Sequence, residues 1–303
     1  MPGKGKVAIL LPLALHFSNT TRNRLPTSLE TKIEFMSNQT DVRKIESAAI
    51  DGIDWLLNLQ NWDGGMPTFC QGWGMLPFDK SSTDITAHAI RALQAWRKKL
   101  THDKPWDYLH NKMQRAEERM FDFLRRTQQP NGSWHPLWFG SQFMPDSANP
   151  CYGTAKVLLA LAETKRDDAM TYNGLRYLIA SQNTDGGWGR DFTNRSSSVE
   201  ETATVIEALS LFAERAEVAA AYHRGLTWLL EAVESDRFSE ASPIGLYFAS
   251  LWYYEDLYPI IFTASALRRA LREASGVNIR SYQHSVPTPP VEQEQFCGRM
   301  KDC

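Results

Sequence analysis

The sequence predicts an all-α protein built from repeated helix pairs, and three observations carry that reading. From Val42 to Glu273 the apolar residues recur at helical spacing almost throughout, with short Gly- and Pro-marked breaks and no convincing alternating strand. A unit of helix, Gln, Gly turn and Trp recurs at roughly 50 to 70 residues. Its copies are QNWDGGM, ending at Met66, QQPNGSW, ending at Trp134, and QNTDGGWG, ending at Gly189. Finally, 43% of the 303 residues are apolar, enough to bury a substantial core.

Taken in chain order, residues 1–41 show no sustained period, and Ser, Thr, Asn and Arg dominate them, so they read as disordered or foreign to the fold. Lys4 and Lys6 ahead of VAILLPLAL resemble a poor secretory signal, but Pro12 interrupts the run. It also falls far short of the roughly 20 apolar residues that span a bilayer. The body occupies 42–275. SSTDITAHAIRAL reads as a helix, with Asp84 and His88 four apart on one face, so that the carboxylate is expected to raise the His pKa. Ser198 and Glu201 form a capping box ahead of a stripe of Val199, Ala203, Ile206, Leu209 and Phe212. Glu200, Glu207 and Glu214 lie largely off that stripe. Residues 276–303, with HSVPTPPVEQEQ, read as a flexible tail.

Within each repeat, Asp-Gly or Asn-Gly supplies the positive φ that ends a helix and turns the chain. Gln60, Gln128 and Gln182 are placed to bond orphan backbone groups at a helix end. Trp134 and Trp188 each offer a wide stacking face and one donor, while Met66 stands where the first copy would carry its Trp. The plain reading of these residues is a staple between neighbouring outer helices.

Composition excludes several functions. The 33 basic and 35 acidic residues give a formal charge of −2 without long runs, so there is no basic footprint for nucleic acid. The four cysteines form no Cys-x-x-Cys pair and sit beside no His cluster at ligand spacing, which argues against zinc and a disulfide framework and for a reducing cytosol.

The repeats are similar to the QW motifs of the class II triterpene cyclases, the squalene-hopene and oxidosqualene cyclase family. SSTDITAHAIRAL resembles the helix carrying the His beside that family's catalytic acid. QQPNGSWHPLWFGSQFMPDSANPCYGT resembles its Gly-Ser-Trp, Trp-Gly and Tyr-Gly-Thr sequence, with an insertion before Asn149. SVEETATVIEAL and PIGLYFASLWYYEDLYPIIFTASAL resemble later segments. The resemblance runs from about Ile50 to Leu271 and implies the C-terminal part of a cyclase, an α/α toroid of inner and outer helices. About nine helical segments are legible where a closed ring of six pairs takes about twelve, so the ring is expected to be incomplete.

By resemblance, His88 supports the catalytic acid and Asp84 accompanies it, Trp138 and Tyr254 line the substrate cavity, and Tyr152, placed with them among the substrate-binding residues, helps hydrogen-bond the acid region. No cofactor and no metal are implied. The family's Asp-x-Asp-Asp, whose Asp protonates the terminal alkene or epoxide, belongs before Gln60, where TRNRLPTSLETK contains no Asp. A zinc prenyltransferase reading, which shares the toroid, fails because position 149 is Asn and His223 has no evident metal-binding partner.

Two functions therefore compete. One is isomerase chemistry, the carbocationic cyclisation of a polyprene such as squalene, requiring the acid-bearing segment. The other is polyprenyl-lipid binding or scaffolding without turnover. The expected partner is an apolar isoprenoid lipid, with a second copy or a complementing acid-domain chain covering the open edge. Peripheral contact with the membrane follows from the lipid substrate.

Overall fold

The computed structural model describes residues 29–71, 79–99, 104–137, 139–141, 147–189, 197–242, 244–246 and 251–275. Its helices in chain order are α1 (Leu29–Asn58), α2 (Thr83–Arg97), α3 (Lys104–Thr127), α4 (Pro150–Glu163), α5 (Ala169–Ala180), α6 (Val199–Ser210), α7 (Ala216–Glu234) and α8 (Leu257–Ser275). The even-numbered helices form the inner layer, with α4 packed on α2 and α6, and α6 packed on α8. The outer helices α3, α5 and α7 pack on α2, α4 and α6 respectively. This is the α/α toroid architecture. The helical backbone begins at Leu29, inside the segment whose sequence shows no clear period.

Burial separates the layers. All twelve residues of α6 are buried, as are residues 150–161 of α4. The outer helix α3 buries one face through Leu109, Met113, Met120 and Leu124. Glu200 and Glu207, off the apolar stripe of α6, are therefore not solvent-facing: they are 2% and 8% exposed. An apolar stripe marks one packed face, but a helix enclosed on every side must also bury its polar one.

Local chemistry starts the inner helices where they start. Asn149 caps α4 by accepting from the Tyr152 amide at 3.1 Å, and Pro150 at the first helical position costs no internal hydrogen bond. Ser198 caps α6 by accepting from the Glu201 amide at 3.3 Å.

Five strands of two or three residues appear where the sequence shows no alternation, because pieces that short carry too few residues to reveal a period. Met66–Pro67 (β1) pairs with Ser81–Ser82 (β2). Phe139–Ser141 (β3), Ile244–Leu246 (β4) and Leu251–Tyr253 (β5) form an antiparallel sheet of order β3-β4-β5. That sheet ties the connection entering α4 to the one entering α8.

The three turns between outer and inner helices are near copies. Gln60 Nε2 donates to Gly64 O at 2.8 Å and Ala116 O at 2.9 Å. Gln128 Nε2 donates to Gly132 O at 3.0 Å and Met170 O at 2.9 Å. Gln182 Nε2 donates to Gly186 O at 2.7 Å and Ala221 O at 2.8 Å. Each amide thus reaches the next outer helix, α3, α5 or α7, at a carbonyl within that helix. The expectation that Gln serves orphan groups at a helix end is corrected here; it is the indoles that bond carbonyls at helix ends. Trp134 Nε1 donates to Leu124 O in the last turn of α3, and Trp188 Nε1 to Leu178 O in the last turn of α5, both at 2.7 Å.

A third contact fastens each turn to the following inner helix. The amides of Met66, Trp134 and Trp188 donate to Thr86, Thr154 and Thr202 Oγ1, each at 2.9 Å. Every one of these threonines is followed by Ala, giving Thr86-Ala87-His88, Thr154-Ala155-Lys156 and Thr202-Ala203-Thr204 at equivalent places in α2, α4 and α6.

Gly64, Gly132 and Gly186 have φ of +90°, +94° and +98°. Alanine there is strained by about 1–2 kcal/mol in each case. At Gly132 an added Cβ would also strike the Asn173 carbonyl, whereas at Gly186 it would lie 3.1 Å from Arg224 O. Gly132→Ala should therefore destabilise by about 1 kcal/mol more than Gly186→Ala in urea denaturation. Equal losses would show that the close approach at Gly132 relaxes freely.

Candidate functional site

The inner helices present polar and aromatic residues, not a purely apolar wall, toward one another. On α2 the stripe is Asp84, His88 and Arg91, and on α4 it is Tyr152, Lys156 and Glu163. On α6 it is Glu200, Thr204 and Glu207, and on α8 it is Tyr258, Phe262, Ser265 and Arg269.

At the C-terminal ends of these helices an ionic belt joins all four. Arg91 makes a bidentate pair with Glu163, both bonds at 2.9 Å. Arg269 Nη2 donates to the same Glu163 at 3.3 Å, and its Nε lies 3.6 Å from Glu207 Oε1. Ser265 Oγ donates to that Glu207 oxygen at 3.0 Å. Two arginines thus share two carboxylates, the arrangement that best offsets their desolvation.

Nearer the N-terminal ends the lining is aromatic. Phe139 stacks on Tyr152 with centroids 3.9 Å apart and planes at 11°, and on Tyr258 at 5.9 Å. Tyr258 in turn stacks on Phe262 at 5.5 Å. The Lys156 ammonium lies 5.1 Å from the Tyr152 centroid and 5.0 Å from that of Phe262. It makes no salt bridge or hydrogen bond with a described residue. Burial holds its pKa down to about 8, with Arg91 pushing the same way and Glu207 and Asp84 opposing.

Asp84 is buried beside Ser82, whose hydroxyl donates to it, and burial raises its pKa. His88 is pushed down to about 3 by burial, then by Lys156 and Arg91. The expectation that Asp84 raises the His88 pKa is thus overturned: desolvation and two cations outweigh a carboxyl that burial itself disfavours in charged form. No hydrogen bond links the two. Although deeply desolvated, His88 keeps intermediate accessible surface, as do Phe139, Tyr258 and Phe262.

Of the other residues singled out in the sequence, Tyr152 stands in the aromatic stack. Tyr254 is 63% exposed, between β5 and α8, apart from that stack. Trp138 lies outside the described residues. Sequence reasoning missed Lys156, Phe139, Tyr258, Phe262 and the belt. One signal was available: Lys156 is the lone charge in CYGTAKVLLALA, one helical turn after Tyr152. Among the described residues no helix is long and apolar enough to cross a membrane.

Comparison with known proteins bears on most of the chain. Residues 27–272 match the squalene-hopene cyclase C-terminal domain. The terpene cyclase-glycosyl transferase fusion protein fsoA of Humicola fuscoatra is 29% identical over 269 residues, covering 76% of this chain and 19% of that protein. The squalene-hopene cyclase of Bradyrhizobium diazoefficiens is 29% identical, covering 52% of this chain and 23% of its own length. This chain therefore spans about a fifth of the length of these curated relatives. Among solved structures, ent-copalyl diphosphate synthase from Streptomyces platensis superposes with a TM-score of 0.52 at 24% identity, over 73% of this chain and 37% of its own, which supports the shared fold.

The pKa values set two pH effects. Between pH 6.5 and about 3 the unfolded chain protonates His88 while the folded chain does not, so stability falls as pH falls through that window. Between about 8 and 10.5 the folded chain has lost the Lys156 proton and the unfolded chain retains it, so stability rises with pH. Denaturant midpoints against pH should show a flatter acid limb for His88→Gln and a flatter alkaline limb for Lys156→Met. Unchanged limbs would mean that neither group is desolvated as the structure has it.

Proposed function

The chain belongs to the squalene-hopene cyclase family through its C-terminal domain, and from that premise we propose that it builds part of a polyprene-binding interior. The reaction served by such an interior is carbocationic cyclisation of a substrate such as squalene, started by a proton donor outside these 303 residues. The supporting observation is the stack of Phe139, Tyr152, Tyr258 and Phe262, which offers flat apolar surface to an isoprenoid chain and π-faces to positive charge.

Neither Asp84 nor His88 suits proton donation. Protonating an alkene takes a strong acid, whereas burial makes Asp84 a weaker acid than usual. His88 stays neutral above about pH 3 and has no proton to give at neutral pH. Asp-x-Asp-Asp occurs nowhere in the sequence. Within this chain Asp84 and His88 are polar lining, and His88 as a support for the acid awaits that acid.

Lys156 favours a second reading, polyprenyl-lipid binding without turnover. A carbocation on a ring face gains about 2 kcal/mol when desolvated. An ammonium about 5 Å away opposes it by about 3 kcal/mol at an effective dielectric of about 20. On the faces of Tyr152 and Phe262 that Lys156 covers repulsion wins, so those faces suit a neutral polyprene better than a cation while Lys156 is charged.

Squalene delivered from cyclodextrin to the purified chain is expected to quench tryptophan emission saturably and to be recovered unchanged by gas chromatography. A linear, unsaturable response would defeat the reading. A cyclised product from the chain alone would place the proton donor within these residues.

A further inference from the structure

The middle layer of the inner helices has a composition that a hydrocarbon ligand does not explain. His88, Lys156 and Thr204 occupy equivalent positions in α2, α4 and α6, each directly after the Thr-Ala pair whose threonine receives a turn amide. At neutral pH all three can donate a hydrogen bond: an imidazole N–H, an ammonium and a hydroxyl. None has a protein acceptor among the described residues. Thr204 Oγ1 is fully buried without a partner. Lys156 is 6% exposed, and its ammonium lies about 5 Å from two ring centroids, with Glu207 and Asp84 acting on it without a salt bridge. Lys156 is close enough to His88 to help hold it neutral.

A buried ammonium without an anion is costly, and so is a buried hydroxyl without an acceptor. The carboxylates available to Lys156 are committed elsewhere. Glu207 accepts from Ser265 and faces Arg269, and Glu163 takes both arginines. Asp84 accepts from Ser82, and burial raises its pKa. One positive charge and three donors in a single layer, with aromatic faces alongside, describe a seat for an anionic oxygen attached to an apolar chain.

We propose that Lys156, with His88 and Thr204, binds the anionic headgroup of an isoprenoid, a carboxylate or a phosphate, whose hydrocarbon lies against Phe139, Tyr152, Tyr258 and Phe262. This inference rests on the polyprene-binding reading and narrows its ligand to an acid-headed isoprenoid. The headgroup supplies the missing acceptor for each donor and the missing counter-charge for the ammonium. A neutral polyprene of the same length satisfies none of them.

The test is equilibrium binding of three probes of equal chain length, a polyprenyl alcohol, the polyprenoic acid and the polyprenyl monophosphate. Each is titrated into the wild-type chain and into Lys156→Met, Lys156→Arg and Thr204→Val. The wild type should bind at least one acidic probe about tenfold or more tighter than the alcohol, and the tighter of the two acids identifies the headgroup. Lys156→Met should lose that preference, the acids falling to the affinity of the alcohol; Lys156→Arg should retain most of it, and Thr204→Val should lose part. Equal binding of acids and alcohol by the wild type overturns the headgroup seat and leaves the polyprene reading standing. A preference that survives in Lys156→Met removes Lys156 from the seat. Failure of all three probes to bind a chain whose circular dichroism is that of a folded helical protein overturns both. Because the wild-type comparison alone decides whether the seat exists, a variant that fails to fold does not rescue the proposal.

Discussion

Three side-chain amides govern the spacing of the ring. Gln60, Gln128 and Gln182 each divide their two N–H groups between the glycine carbonyl of their own turn and a carbonyl of the next outer helix. A primary amide has two hydrogens at a fixed angle, so satisfying both fixes the position of the turn relative to that helix. The turn amide then fastens to a threonine of the following inner helix, and the indole closes the preceding outer helix where present. Outer and inner layers are thus held at a constant offset by contacts that recur along the chain, around one apolar core that includes residues of both layers.

That arrangement makes a polar interior affordable. The inner helices would ordinarily need apolar surface on every face, since enclosed charges cost several kcal/mol each after relaxation. Here the cost is met at the C-terminal ends by Arg91, Glu163, Arg269 and Glu207, which neutralise one another across four helices. At the N-terminal ends aromatic stacking around Phe139 takes over. Between the two lies the layer of His88, Lys156 and Thr204. Thr204 Oγ1 is buried there without a partner, so that layer, more than the exposed Tyr254, bears on ligand choice.

Much of the fold could be read from the chain because its signals are local. Helical spacing, the capping box at Ser198 and the Gly turns after each Gln depend on residues within a few positions of one another. The partner of each Gln could not be read this way: Ala116, Met170 and Ala221 lie 56, 42 and 39 positions from Gln60, Gln128 and Gln182. The site was legible only in part for the same reason. Asp84, His88 and Tyr152 stood out by residue type and spacing, but the His88 pKa depends on Lys156, which reaches it from another helix. The three Thr-Ala pairs were visible in the text of the sequence, yet their common role appears only when each threonine is seen under a turn amide.

By itself the sequence determined the helical class, the repeating turn and the family, because each follows from residue identity at short and fixed spacing. Only the tertiary structure decided which polar residues face one another. Whether a buried charge is paired, shifted or left without a partner depends on groups brought from distant parts of the chain. For Glu207 that meant Arg269 and Ser265; for Lys156 it meant two aromatic faces and, among the described residues, no salt bridge.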